Sequence, residues 1–434
     1  MNNKTLVSAT LLMASQAVSQ NVSAELSAIL EHELALDNNG HGQKFETLFE
    51  PEWNYSASDN IDMTLIGRVR LDGLDKLGPS EQRPDNYGHI NGPLVSGTHG
   101  EISIREWYFD SEFGGAYGRL GKQQVVWGQA DGLKILDVVN PQSFREFILD
   151  DFDDSRIPLW MANVEVPIGD DNSLQVLWIP DLTYHEFAEE GTVYEATSPL
   201  LVPQLPSNTP LIQFDKEKPS SAISDSNAGL RYSMFYDGWD LTFNYLYHYH
   251  DMPVLYQSID ASGVSINSVY ERNNLLGATA SNVFGDFTLR TEVGYSSDTY
   301  HLSTNLNQQG VHQSADFSSV VGLDWQGLED TLLSVQWFQS HLFEYDDTVI
   351  RPQNNHIASL LYKRTFQNET WTLDILTLHG FDQDDGSVQA QLSYMLESNI
   401  KIWVGSDIFY GGEAGLFGQF KHEDRVTMGF EWGF

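Results

Sequence analysis

The chain has 434 residues, no cysteine, 19% charged and 12% aromatic residues, and a formal charge of −38 from 61 Asp and Glu against 23 Lys and Arg. That balance argues against a nucleic-acid partner, because phosphate backbones want the opposite sign, and a chain of this size without cysteine holds together without disulfides. Thirty-five glycines and 15 prolines favour strands and turns over long helices. The acid excess suits an envelope protein bathed in divalent cations, or a saline habitat.

Residues 1–24, MNNKTLVSATLLMASQAVSQNVSA, read as a signal peptide. Lys4 supplies the positive start, residues 5–18 a mildly apolar core, and Val22, Ser23 and Ala24 a small-residue cleavage site before Glu25. No other stretch approaches the roughly 20 consecutive apolar residues of a spanning helix.

From there the chain repeats one theme, an alternating segment of about ten residues followed by a turn; such a strand, tilted by about 45°, covers the hydrocarbon core of a bilayer. Residues 241–250 put Leu241, Phe243, Tyr245, Tyr247 and Tyr249 on one face and Thr242, Asn244, His248 and His250 on the other. Residues 387–396 and 230–236 repeat the pattern, and the last ten, RVTMGFEWGF, place Val426, Met428, Phe430, Trp432 and Phe434 together. Candidates fall near 26–36, 43–55, 61–72, 99–110, 117–127, 160–168, 173–186, 228–236, 240–251, 270–283, 287–297, 315–326, 331–343, 356–366, 371–380, 387–396, 400–410 and 424–434.

The connections alternate between short (56–60, 169–172, 284–286, 327–330, 367–370, 397–399) and, with a few exceptions, long (73–98, 128–159, 187–227, 252–269, 298–314). The pattern predicts an all-β fold: one transmembrane antiparallel up-and-down β-barrel over 25–434, of about 18 strands, or 16 if one weak pair is loop. Short turns and both termini then face the periplasm of a Gram-negative bacterium, long loops face outward, and outer-membrane lipid surrounds the wall. Phe430, Trp432 and Phe434 resemble the C-terminal signal read by the barrel-assembly machinery.

Function then rests on lumen-facing residues and on whichever loop folds inward. The connection 128–159 is too apolar for a free surface loop, with Leu133, Ile135, Leu136, Val138, Val139, Phe144, Phe147, Ile148 and Leu149. Asn140 and Pro141 before QSFREFIL predict a short helix inside it. Its apolar face needs a surface, and the barrel interior offers one, as for the constricting third loop of porins. The loop carries Asp131, Asp137, Arg145, Glu146, Asp150, Asp151, Asp153, Asp154 and Arg156, while alternation aims Arg68, Arg70, Arg105 and Arg119 into the lumen. Arginine facing lipid near the midplane would cost roughly 2–4 kcal/mol. Arginines opposite loop carboxylates predict a transverse field that sorts solutes by charge, or pairs that hold the loop down.

DDFDD at 150–154 offers calcium-type oxygen ligands but reads better as a solvated acidic turn, and His248 and His250 read as lumen lining, so no metal and no cofactor are expected. The Pro-rich outer segment 198–214, within 187–227, covers the mouth, meets a hydrophobic ligand, or simply stiffens the loop. No GxSxG or recognisable Ser–His spacing is present, and no enzyme is expected.

The block 118–161, GRLGKQQVVWGQADGLKILDVVNPQSFREFILDDFDDSRIPLWM, resembles a family of poorly characterised Gram-negative outer-membrane proteins sharing an RLGxQ-V-WG…NP stretch. Arg119, Leu120, Gly121, Gln123, Trp127, Gly128, Asn140 and Pro141 carry the resemblance. It implies a long barrel catalogued under a domain of unknown function. Some members are associated with resistance-nodulation-division exporters and proposed to move lipid or sterol-like molecules. The residues themselves favour a passive porin-like channel for small polar or charged solutes. The alternatives are an outer-membrane partner in export or trafficking of lipid or hydrophobic molecules and, more distantly, a lipid hydrolase. The export reading implies an export-system partner, and the porin reading leaves a homo-oligomer open.

Overall fold

The computed structural model describes residues 23–58, 60–77, 85–204, 210–259 and 261–434. Most of the expected signal peptide therefore lies outside the described residues; Ser23 and Ala24 open the first strand, opposite Ser56 and Tyr55.

Eighteen strands form the wall: β1 (Ser23–Asp37), β2 (Gly42–Ser58), β3 (Ile61–Asp72), β4 (Gly100–Phe113), β5 (Ala116–Gln123), β6 (Leu159–Ile168), β7 (Asn172–Ile179), β8 (Asn227–Tyr236), β9 (Trp239–Tyr249), β10 (Arg272–Phe284), β11 (Phe287–Leu302), β12 (Val311–Trp325), β13 (Thr331–Leu342), β14 (Asn354–Phe366), β15 (Trp371–Gly380), β16 (Asp385–Glu397), β17 (Ile400–Tyr410) and β18 (Arg425–Gly433). Each pairs antiparallel with the next. The ring closes where β18 returns to β1, from Ile29 opposite Gly433 to Asp37 opposite Arg425, with Ala28 and Phe434 exchanging backbone hydrogen bonds of 2.7 and 2.9 Å. Closure leaves no unpaired edge, as hydrocarbon requires.

The two faces differ as the alternation predicts. On β18, Val426, Met428, Phe430, Trp432 and Phe434 are exposed while Arg425 and Thr427 are buried. Ring pairs gather beside the short turns, among them Trp239–Phe284, Phe366–Trp371 and Trp432–Phe434. Others, such as Trp337–Phe381 and Tyr295–Phe343, mark the opposite end. These are the two aromatic girdles of an outer-membrane barrel.

Two strands are shorter than predicted. β5 stops at Gln123 rather than 127; beyond it the Asn140 side chain takes the Gln123 carbonyl and the Val125 amide in place of a strand partner. β7 stops at Ile179 rather than 186; Pro180 has no N–H for the ladder, and the Asp181 carboxylate accepts from Asn91 and from the Trp160 amide instead. The outer loop 180–226 supplies a strand, Leu211–Glu217, that runs parallel to Val264–Val269 in a three-stranded sheet above the barrel.

Candidate functional site

The connection between β5 and β6, residues 124–158, enters the lumen, and Gly121, Gln123, Trp127 and Asn140 build its root. A side chain at Gly121 would collide with the Trp107 carbonyl oxygen, so the positive φ of 141° there, within the strand, needs glycine. Gln123, fully buried, donates to the Met161 carbonyl at 3.3 Å. Asn140 spans the two arms: its Oδ1 accepts from the Val125 amide at 2.8 Å, and its Nδ2 donates to the carbonyls of Gln123 and Ile157. Trp127 is wholly buried, donates to Gln175 at 2.8 Å and lies over Gly229, where a Cβ would sit 2.8 Å from its ring.

No helix forms over 141–149, contrary to the sequence expectation. The Asn140 side chain is spent on backbone at 123, 125 and 157, leaving none for a helical first turn. The Gln142 amide donates to His185 Nδ1 at 2.9 Å, and Ser143–Phe144 pairs parallel with Glu186–Phe187. Extended cross-links to the next outer loop thus replace the intrahelical ladder. A single turn of helix follows later, Phe152–Ser155.

The loop's apolar side chains divide between the walls. Leu136 and Val139 join Trp127, Met161, Leu177, Leu246 and Leu275 on one side. Leu133, Phe147, Ile148 and Leu149 pack with Val320, Phe338, Ile357, Leu378 and Phe409 on the other. The segment therefore crosses the lumen, and burying each such side chain contributes about 1.5–3 kcal/mol.

Ion pairs add orientation. Arg68 reaches Glu50 and Asp154, each at 2.6 Å, and Arg105 lies 3.7 Å from the same two carboxylates. Arg70 sits 3.7 Å from Glu46 and 3.5 Å from Glu101, both on the wall. Within the loop, Arg156 holds Asp137 at 2.8 Å and also meets Asp153. Glu146, fully buried, receives Lys44 and Arg425 at 2.7 Å each, and Arg145 meets Glu46 at 2.8 Å. At the far wall Asp131 pairs with Arg290 at 2.5 Å and accepts from Gln336 at 2.8 Å.

Arg119 departs from expectation: it points into the lumen but pairs with Asp110 of the adjacent strand at 2.7 Å, not with the loop. The cause is register, since Asp110 lies directly opposite it. Asp151 precedes the short helix, and neither it nor Asp150 has an ion pair among the described residues. Burial, and then the neighbouring Glu146 carboxylate, push the Asp150 pKa well above the ordinary carboxylate value. Lys44, Arg290 and Arg425 also hold the loop, without being expected from the sequence; each lies on the polar face of its alternating strand, but far from the loop in sequence.

The loop separates two spaces. On the outer side is a cavity of about 410 Å³ with largely apolar walls, including Phe144, Phe147, Phe152, Phe187, Leu201 and Met252. On the periplasmic side is a polar chamber of about 570 Å³ between the loop and β1, β2 and β14 to β18, lined by eight carboxylates and four lysine or arginine side chains. Asp150 lines both.

An 18-strand closed wall, two aromatic girdles and an inserted loop define an outer-membrane barrel of the porin type. Within that class, residues 98–321 match the model of the family described as "Protein of unknown function (DUF1302)", and the chain belongs to that family. No curated protein sequence matches it. Among solved structures it is similar to OpdK of Pseudomonas aeruginosa in complex with vanillate, at 10% identity and a TM-score of 0.52 over 95% of this chain and 98% of that one. OccK2 (OpdF) of the same organism gives 11% and 0.52 over 95% and 98%. OccAB1 of Acinetobacter baumannii gives 8% and 0.54 over 96% and 97%. At these identities the likeness is one of fold.

Proposed function

We propose that the protein is a passive channel for small solutes, with the loop 124–158 as its constriction. The observation that carries this reading is the pair of spaces on either side of the loop, both lined by Asp150. Porin-type barrels of 16–18 strands enclose water, so a loop laid across the lumen sets the size of what passes. The solved relatives of the same fold with vanillate or glucuronate support a solute of that scale. Arg68, Arg105, Arg145 and Arg156, with their carboxylates, hold the loop in register and leave little net positive charge in the passage.

Liposomes containing the purified protein are expected to swell in isotonic arabinose, more slowly in glucose, and scarcely in a disaccharide. A second reading, transfer of a hydrophobic cargo to a periplasmic export partner, draws on the apolar walls of the outer cavity. It predicts no swelling in any sugar and lipid that copurifies with the barrel.

A further inference from the structure

We infer that the solute this channel favours is a small amphipathic organic cation, an amine carrying an aromatic or aliphatic body, and that Asp150 and Asp251 select it. This inference rests on the channel reading above and deepens it.

The outer cavity supplies the first argument. Five phenylalanines wall a volume of about 410 Å³, room for a single ring with a short side arm, and ring faces attract an ammonium group. Its charged lining is Lys134, Asp137, Asp150 and Asp251. Lys134 lies 3.2 Å from Asp137, which also holds Arg156, so that side is neutralised internally. Asp150 and Asp251 have no ion pair among the described residues. Burial raises the pKa of both, that of Asp150 to about 7, because an unpaired carboxylate in an apolar cavity is costly; a cation beside it relieves that cost and restores the charged form. Tyr194 lines the same cavity; the residue is 2% exposed and its hydroxyl lacks a hydrogen-bond partner.

The histidines of the cavity do not offset this. His185 Nδ1 accepts the Gln142 amide, and burial pushes its pKa down to about 3; burial lowers that of His250 as well. Beyond the loop, carboxylates outnumber basic side chains eight to four. Arg68, Arg70, Arg105, Arg145 and Arg425 each already have a carboxylate within 4.0 Å. An anionic solute would find its counter-charges taken, whereas a cation finds carboxylates on both sides of the loop.

The test is the reversal potential of the intact protein in a planar bilayer, under a gradient of phenethylammonium chloride and then of sodium phenylacetate. Cation flow is expected to dominate in both salts, with phenethylammonium more permeant than sodium. Asp150→Asn is expected to lower the cation preference several-fold, and Asp251→Asn serves if the first variant does not fold. Anion-dominated reversal, or ratios unmoved by a folded variant, would overturn the inference while leaving a channel. Absence of both current and arabinose uptake would instead overturn the channel reading itself.

Discussion

Glu146→Leu is expected to release the loop from the wall without opening the barrel. Glu146 is fully buried and answers three cations, with Lys44 and Arg425 at 2.7 Å and Arg145 at 3.8 Å. Removing one member of such a buried set costs as much as about 3–5 kcal/mol, because three desolvated cations lose the carboxylate they share. Lys44 keeps Glu33 at 3.1 Å and Arg425 keeps Asp407 at 2.7 Å, so the loss falls on the docking of the loop. Trypsin should then cut at Lys134, Arg145 or Arg156 while the barrel body resists. The pair Lys401–Glu431, about a third exposed on both sides, is the contrast: breaking it with Glu431→Leu is expected to change stability by under about 1 kcal/mol. Equal protection of the loop in both variants would contradict the account.

The same network sets a pH window. Burial alone would raise the Glu146 pKa, but Lys44, Arg425 and Arg145 outweigh it and hold the carboxyl well below its ordinary value. A depressed folded-state value means that the contribution is fully present above the unfolded value, about 4.3 for a glutamate, and drains away as pH falls below it. Protection of the loop from a protease active in acid should persist at pH 6 and weaken progressively below pH 4.

The second large effect is on size. Deleting residues 131–154 removes most of the segment that crosses the lumen and leaves a stub at Gln129, held by Glu292 and Arg290. Asp131 touches Gln336 and Arg290, a Cβ at Gly132 would lie 3.0 Å from Leu378, and Glu146 reaches Arg425, so the deleted segment spans the full width of the lumen. Single-channel steps are expected to grow several-fold, and the disaccharide excluded by the intact protein should enter. Unchanged steps would place the loop over the mouth rather than inside.

The wall was legible because each strand separates two solvents, and period-two alternation is the direct imprint of that separation. The loop's insertion was legible from its apolar residues, since Leu136, Phe147 and Leu149 need a surface to cover. Its internal conformation was not. Asn140 and Pro141 carry a local helix-start signal, but the partners that Asn140 takes, Val125 and Ile157, lie far outside one turn and override it. Arg119 shows a related limit: alternation gives the face on which a side chain lies but not which carboxylate stands opposite. Arg290 and Lys44 went unseen because barrel closure, not sequence proximity, brings them to the loop.

The most direct test of the central claim is the single-channel current through the intact protein in a planar bilayer with no other protein present. The account predicts stable, discrete conductance steps from the barrel alone. A silent intact barrel that conducts only when a periplasmic partner is added, or only after the loop is removed, would contradict it and make the loop a closed plug.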